Sequence, residues 1–181
     1  MKDLSLHILD IVENSITATA TFIEIFIDED QIHNTYNVRI KDNGKGMTRE
    51  LLDQVTDPYT TSRTTRKVGM GLPLLMANTR RTGGHLEITS DYGKGTEVEA
   101  FFVNDHIDRL PLGDIASTLV LLASANPTLE FVYTHTVDGE QYIFDTREIK
   151  EALGEVAIND NHIFKYLKEM INENLQEIKA T

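Results

Sequence analysis

The sequence predicts an α/β protein, because helical and strand periodicities alternate along the chain. Residues 4–19 carry apolar side chains at every fourth position, the spacing of one helix face: Leu4, Ile8, Val12 and Ile16. Residues 21–28 alternate instead, with isoleucine at every second position, as a half-buried strand does. Residues 36–41 repeat the strand pattern, and Asn34 marks a turn before them.

The other elements of the first hundred residues follow from turn and cap signals. Asp42-Asn43-Gly44-Lys45-Gly46 ends the second strand, and paired glycines at 83 and 84 end a later helix. The predicted elements are a helix from Thr48 to Val55, an irregular loop over 57–70, a helix after Gly71, and strands over 85–90 and 96–103.

The sequence pattern changes near Asn104, and we predict a boundary between residues 1–104 and residues 105–181. The second part contains a helix that opens at Pro111 and Leu112, a hairpin around Asp138-Gly139, and helices over 147–153 and 161–179. These elements suit a small α+β unit of unassigned role. It would dock on the first part, on a partner, or on a second copy of the chain.

Composition restricts the class of protein. The 181 residues are 40% hydrophobic, enough for a buried core. The formal net charge of −12 would repel DNA or RNA, so a nucleic-acid partner is disfavoured. The lack of cysteine excludes disulfides, thiolate metal sites and cysteine nucleophiles. There is neither an apolar run of about 18 residues nor a signal-like start, so we expect a cytoplasmic protein without membrane insertion.

The first helix carries a candidate metal site. Asp10 and Asn14 are four residues apart and therefore share a helix face. The carboxylate could orient a water, and the amide oxygen could bind Mg²⁺, which prefers hard oxygen ligands together with phosphate oxygens. Ala18, one turn further on, would let a ligand approach closely. The alternative is a plain polar stripe on an amphipathic helix.

The segment Asp42-Asn43-Gly44-Lys45-Gly46-Met47 is a second candidate, at the end of a strand. Its glycines would let the backbone approach a flat ring, and a buried Asp42 could accept a hydrogen bond from an adenine amino group. A simple glycine-rich turn explains the same letters.

Two further segments have the composition of anion sites. Thr60-Thr61-Ser62-Arg63 and Gly69-Met70-Gly71-Leu72 bracket a basic stretch, and glycines that enter a helix present free N–H groups to phosphate. The pattern is neither a P-loop nor a dinucleotide fingerprint. Gly93-Lys94-Gly95-Thr96, which enters a strand, reads equally well as a hairpin loop.

The order of these four segments over residues 1–103 resembles the gyrase, heat-shock chaperone, histidine kinase and MutL (GHKL) superfamily. The similarity is closest to the histidine-kinase-like ATP-binding domain (HATPase_c), since Asp57-Pro58-Tyr59-Thr60-Thr61-Ser62 resembles the Asp-Pro-Phe-Thr-Thr run of sensor kinases. The resemblance implies the Bergerat ATP-binding fold. This is an α/β sandwich in which helices cover one face of a mixed sheet, with ATP and Mg²⁺ between the helices and a lid.

Motif matching carries individual roles over to this chain. Asn14 would bind Mg²⁺, Asp42 the adenine amino group, and Thr96 would support adenine recognition. The adenine ring would be lined by Gly44, Gly46 and Met47. The phosphates would be met by Ser62, Arg63, Gly69, Met70, Gly71 and Leu72. Asp10 falls where the ATP-hydrolysing relatives carry a catalytic Glu, so it is the candidate base.

Three departures from the family pattern bear on function. Asp10 is one methylene shorter than Glu, Thr17 stands where histidine kinases often carry Lys, and 13 residues before Asn14 leave no room for a phospho-accepting hairpin. We read His7 as an ordinary helix residue. The sequence therefore predicts a stand-alone regulatory protein that transfers phosphate to a separate protein partner. The alternatives are an ATP-hydrolysing conformational switch and a non-catalytic nucleotide sensor. The sequence leaves the oligomeric state open.

Overall fold

A computed structural model describes residues 1–56 and 71–181 of the chain. The helices of these residues are α1 (Leu4–Thr17), α2 (Arg49–Thr56), α3 (Gly71–Arg81), α4 (Ile115–Ala125), α5 (Thr146–Leu153) and α6 (Asn161–Glu177). The strands are β1 (Phe22–Asp30), β2 (Thr35–Asp42), β3 (His85–Asp91), β4 (Gly95–Val103), β5 (Glu130–Val137) and β6 (Glu140–Asp145). None of the described helices combines the length and the apolarity that crossing a bilayer requires.

The six strands form one mixed sheet in the order β3-β4-β2-β1-β5-β6. All neighbouring strands are antiparallel except β1 and β5, which run parallel with Phe22 opposite Glu130. The predicted α/β fold with a mixed sheet is confirmed.

One face of the sheet is buried, as the strand alternation predicts. Ile23, Ile25 and Ile27 of β1 are at most 1% exposed, whereas the residues between them are partly or fully exposed. The covering helices contribute apolar side chains to the same core, among them Ile8 of α1, Leu75 of α3, Leu119 of α4 and Ile171 of α6. On this face α1 contacts β2, where Ser15 bonds to Asp42.

The start of α1 is held by groups from both parts of the chain. The Asp3 side chain accepts a hydrogen bond from the Leu6 N–H and so caps the helix. The N–H groups of Leu4 and Ser5, which lack partners within the helix, donate to the carbonyls of Pro111 and Leu112 at 2.9 Å. These hydrogen bonds fix the first turn of α1 to the segment that leads into α4.

Residues 105–181 pack against the first part of the chain and extend its sheet. Strand β5 pairs with β1 along its whole length, and Leu119 and Phe131 are fully buried in the shared core. Helix α4 begins at Ile115, three residues after its predicted start. Asp114 caps it by accepting from the Ser117 N–H, while residues 111 and 112 bond to α1.

A buried acid–base pair lies at the C-terminal end of β1. Glu29 and His135 are each at most 1% exposed, and the His135 ring lies 2.7 Å from a Glu29 oxygen. Thr181 donates both its N–H and its hydroxyl to Glu29, and the Tyr133 hydroxyl meets the other ring nitrogen of His135. The network joins β1, β5 and Thr181, which lies four residues after the end of α6.

Candidate functional site

The polar face of α1 holds the predicted acid and amide next to each other. The Asn14 side-chain N–H donates to Asp10 Oδ2 at 3.3 Å, as a spacing of four residues on a helix allows. Both side chains are partly exposed. The amide nitrogen makes this hydrogen bond, and the Asn14 oxygen on the other branch of the amide can act only as an acceptor.

The first residue of α3 lies against Asp10. A Cβ placed on Gly71 would be 2.0 Å from Asp10 Oδ2, so only glycine permits this contact. Leu72, the next residue, is 7% exposed and anchors the start of α3 in the core. The N-terminal end of α3 thus faces the carboxylate on α1, where the helix dipole favours negative charge.

Asp42 is the last residue of β2 and is held by two donors. The buried Ser15 hydroxyl donates to Asp42 Oδ2 at 2.7 Å, and the Gly44 N–H donates to Oδ1 at 2.8 Å. Asp42 is 9% exposed, and the neighbouring strand β4 places Thr96 directly opposite it. The carboxylate is therefore fixed with both oxygens as acceptors, and a ligand at this position must supply a donor.

Ser90 of β3 continues the row that Asp42 and Thr96 begin. It pairs with Thr96 across the two strands, and its hydroxyl lies 2.8 Å from the Thr96 hydroxyl. The same oxygen accepts from the Met47 N–H at 2.9 Å. Ser90 thus connects the segment after β2 with the start of β4.

The glycines of the segment after β2 are needed for contacts within the chain. A Cβ on Gly44 would lie 2.9 Å from the Ala18 carbonyl oxygen and 3.2 Å from the Ala18 side chain. Gly46 has φ of +63°, and a Cβ there would come within 2.1 Å of the Asp91 carbonyl oxygen. These close approaches join the end of α1, the segment after β2 and the β3–β4 turn.

The structure brings the described members of the predicted site together through α1. Asp10 contacts Gly71, Asn14 bonds to Asp10, and the next residue, Ser15, bonds to Asp42, which lies beside Thr96. The predicted phosphate contacts Ser62, Arg63, Gly69 and Met70 lie outside the described residues.

Three residues near this site were not predicted. Ser15 has a sequence signal, because it is a polar residue on the apolar stripe of α1, four residues after Ile11. Ser90 has none, since one Ser in an alternating strand is ordinary. His7 is 1% exposed, its Nε2 lies 3.1 Å from the Asn78 amide on α3, and burial lowers the pKa of its ring.

A cavity of about 420 Å³ opens next to this row, between the start of α2 and the β3–β4 turn. Met47 and Ser90 line it, together with Tyr92 at its rim, whereas Asp10, Asn14 and Asp42 lie outside it. The fixed polar groups Asp42 and Thr96 lie in the hydrogen-bonded row, so the row is the candidate site. Within residues 1–56 and 71–181 no three His, Asp or Glu side chains are grouped as a metal site.

The mixed sheet and the helices packed on it are those of an α/β domain of the GHKL class. The sequence profile of the histidine kinase-, DNA gyrase B- and HSP90-like ATPases matches residues 2–106, more than half of the chain. The chain belongs to this family.

Individual relatives agree with this assignment. A Shewanella frigidimarina protein named as a sensor protein is 30% identical over 97 residues, which are 52% of this chain and 15% of that protein. Sporulation kinase D of Bacillus subtilis is 28% identical over 91 residues, 50% of this chain and 18% of the kinase. The MutL ATPase domain of Aquifex aeolicus, complexed with ADP, has a TM-score of 0.50 at 18% identity, over 97% of this chain and 70% of that one. The chain thus covers less than a fifth of the length of the two sequence relatives.

Proposed function

We propose that this chain binds Mg-ATP at the row formed by Asp42 and Thr96 and transfers its phosphate to a separate protein. The observation that carries the proposal is that Ser15 and Gly44 hold the buried Asp42 carboxylate in a fixed orientation. In this orientation the carboxylate could accept a hydrogen bond from the amino group of a base. Each oxygen of an ionised carboxylate has a second lone pair beyond these hydrogen bonds, and the donor of a bound ligand could use it.

The donor set near Asn14 fits a magnesium ion that is brought in by the nucleotide. Asn14 offers one hard amide oxygen, and the described residues provide no cage of carboxylates that would hold the ion alone. Phosphate oxygens and water would complete the coordination. The ion would neutralise charge on the phosphates during transfer.

The predicted phosphate segment joins this site at Gly71. The start of α3 lies on Asp10, one turn before Asn14, so a phosphate at this helix end would lie close to the metal ligand. We propose the same position for the contacts predicted at Ser62, Arg63, Gly69 and Met70, together with Leu72.

Asp10 is the candidate base in this scheme. Its carboxylate reaches the start of α3 although it is one methylene shorter than Glu, because Gly71 has no side chain in the way. A carboxylate at this position could orient a protein hydroxyl or a water toward the phosphate. If Asp10 orients a water, the protein is an ATP-hydrolysing switch.

Transfer to a protein ranks first because the sequence relatives include a protein named sporulation kinase. The fold neighbour named MutL ATPase keeps hydrolysis as the second candidate, and a nucleotide sensor without catalysis is the third. Incubation with γ-labelled ATP and a protein extract separates the three. Label on another protein supports transfer, free phosphate alone supports hydrolysis, and tight binding with neither supports sensing.

Asn14→Asp tests the metal site directly. The new carboxylate would lie about 3 Å from that of Asp10, and their repulsion should disrupt Mg-dependent nucleotide binding. Glu13→Gln, at the exposed neighbouring position, is the control. Calorimetric titration with ATP, with and without Mg²⁺, measures the effect. An unchanged magnesium dependence in Asn14→Asp would contradict the assigned metal ligand.

A further inference from the structure

The Ser90 hydroxyl has three hydrogen-bonding neighbours within 2.9 Å. They are the Met47 N–H, the Gly95 carbonyl oxygen and the Thr96 hydroxyl. A serine hydroxyl has a single proton to donate and two lone pairs. Three contacts therefore use the whole hydrogen-bonding capacity of Ser90.

The chemistry of the partners fixes which group donates. The Met47 N–H can only donate, and the Gly95 carbonyl can only accept. The Ser90 proton must therefore go to Gly95, because otherwise the lone pairs of the two oxygens would face each other at 2.9 Å. The remaining contact, at 2.8 Å, is then one in which Thr96 donates its proton to Ser90.

This assignment determines what Thr96 offers to a ligand. With its proton committed to Ser90, the Thr96 hydroxyl presents only lone pairs, and Asp42 next to it also presents only acceptor oxygens. The row displays acceptors alone. The amino group of adenine supplies donors to such a row, whereas a 6-oxopurine places a carbonyl oxygen there and is repelled.

We propose that Ser90 is a specificity-determining residue, which selects adenine nucleotides over 6-oxopurine nucleotides by holding the Thr96 proton away from the ligand. The inference rests on the proposed nucleotide site. Ser90 acts through Thr96 and is a positioning residue. Freed from Ser90, the Thr96 hydroxyl could rotate and donate to a carbonyl oxygen of the base.

Calorimetric titration of the whole chain with ATP and with inosine triphosphate tests this assignment. The wild type should prefer ATP, and Ser90→Ala should lower the ratio of the two affinities about tenfold, because the inosine nucleotide gains one hydrogen bond. A general loosening of the site would weaken both nucleotides and leave the ratio unchanged. Adding Thr96→Val to Ser90→Ala should remove the gain for inosine triphosphate.

Thr89→Ala is the matched control, because Thr89 is the neighbouring residue on β3 and points to the opposite face. Ser90→Cys replaces Ser90→Ala if the latter does not fold, since a thiol is only a weak hydrogen-bonding group. An unchanged ratio in the folded Ser90 variant overturns the inference and leaves the nucleotide site in place. A wild type that binds neither nucleotide overturns both.

Discussion

The substitution Asp42→Asn replaces one carboxylate oxygen of the proposed base site with an NH₂ group. The asparagine oxygen can keep the Gly44 N–H as its donor, and the new NH₂ group replaces the oxygen that faces Ser15. Ser15 can then accept from that NH₂ group and donate fully to the Ile11 carbonyl, which already lies 3.2 Å away. The fold should lose little stability, because every buried group retains a partner.

Nucleotide binding should fall, because a neutral amide replaces the ionised acceptor of the proposed base site. A hydrogen bond to an ionised acceptor contributes about 1.5–3 kcal/mol, so its loss raises the Kd for ATP by about 10- to 150-fold. Calorimetric titration measures the Kd, and a thermal melt should shift by less than about 4 °C. Asp108→Asn, exposed beyond the opposite end of β4, is the control. A Kd unchanged within twofold in folded Asp42→Asn protein would falsify the assigned base site.

The remaining predictions concern packing, pH and chain length. Gly71→Ala should cost about 1–3 kcal/mol of unfolding free energy in urea, because its Cβ would displace the Asp10 carboxylate. A loss of unfolding free energy below about 0.5 kcal/mol would mean that the Asp10 side chain moves aside freely. Burial raises the pKa of Glu29, but the hydrogen bonds from His135 and Thr181 together outweigh it and hold that pKa below its usual value. A carboxyl group whose pKa is lower in the folded than in the unfolded state stabilises the fold at pH values above its unfolded-state pKa. This stabilisation is lost as the pH falls through the folded-state pKa. Urea unfolding between pH 7 and pH 3 should therefore show a steeper loss below about pH 4.5 in the wild type than in Glu29→Gln; parallel curves would contradict the reasoning. Residues 1–104 remain a predicted unit. A chain that ends there loses the strand paired with β1, so its circular-dichroism melt should be lower and less cooperative than that of the full chain, and an equal melt would show that this unit is self-sufficient.

Local elements could be read from the sequence because their signals are local. The alternation of Ile23, Ile25 and Ile27 predicts β1, and the observed strand is only two residues longer at its C-terminal end. The first helix ends at Thr17, two residues before its predicted end, because Thr19 has φ of +63°. The start of α4 was predicted three residues early, since Leu112 looks helical by periodicity but bonds to Ser5 instead.

Long-range pairing and the partners of the site had no local signal. Phe22 and Glu130 are 108 residues apart in sequence, and alternation gives a strand without naming its neighbour. The glycine pattern indicated close approaches at Gly44 and Gly46. It could not show that the approaching groups are Ala18 and Asp91 of the same chain. The sequence also gave no indication that Glu29 and His135 pair with each other in the core.

The attachments of α1 have a mechanical consequence. Backbone hydrogen bonds to residues 111 and 112 fasten its first turn, and the Ser15–Asp42 hydrogen bond fastens its last turn to the sheet. Translation of this helix along its axis would break contacts at both ends simultaneously. We therefore expect α1 to keep its position on the sheet when a ligand binds to its polar face, and we expect any movement in the elements packed against it, beginning with α3.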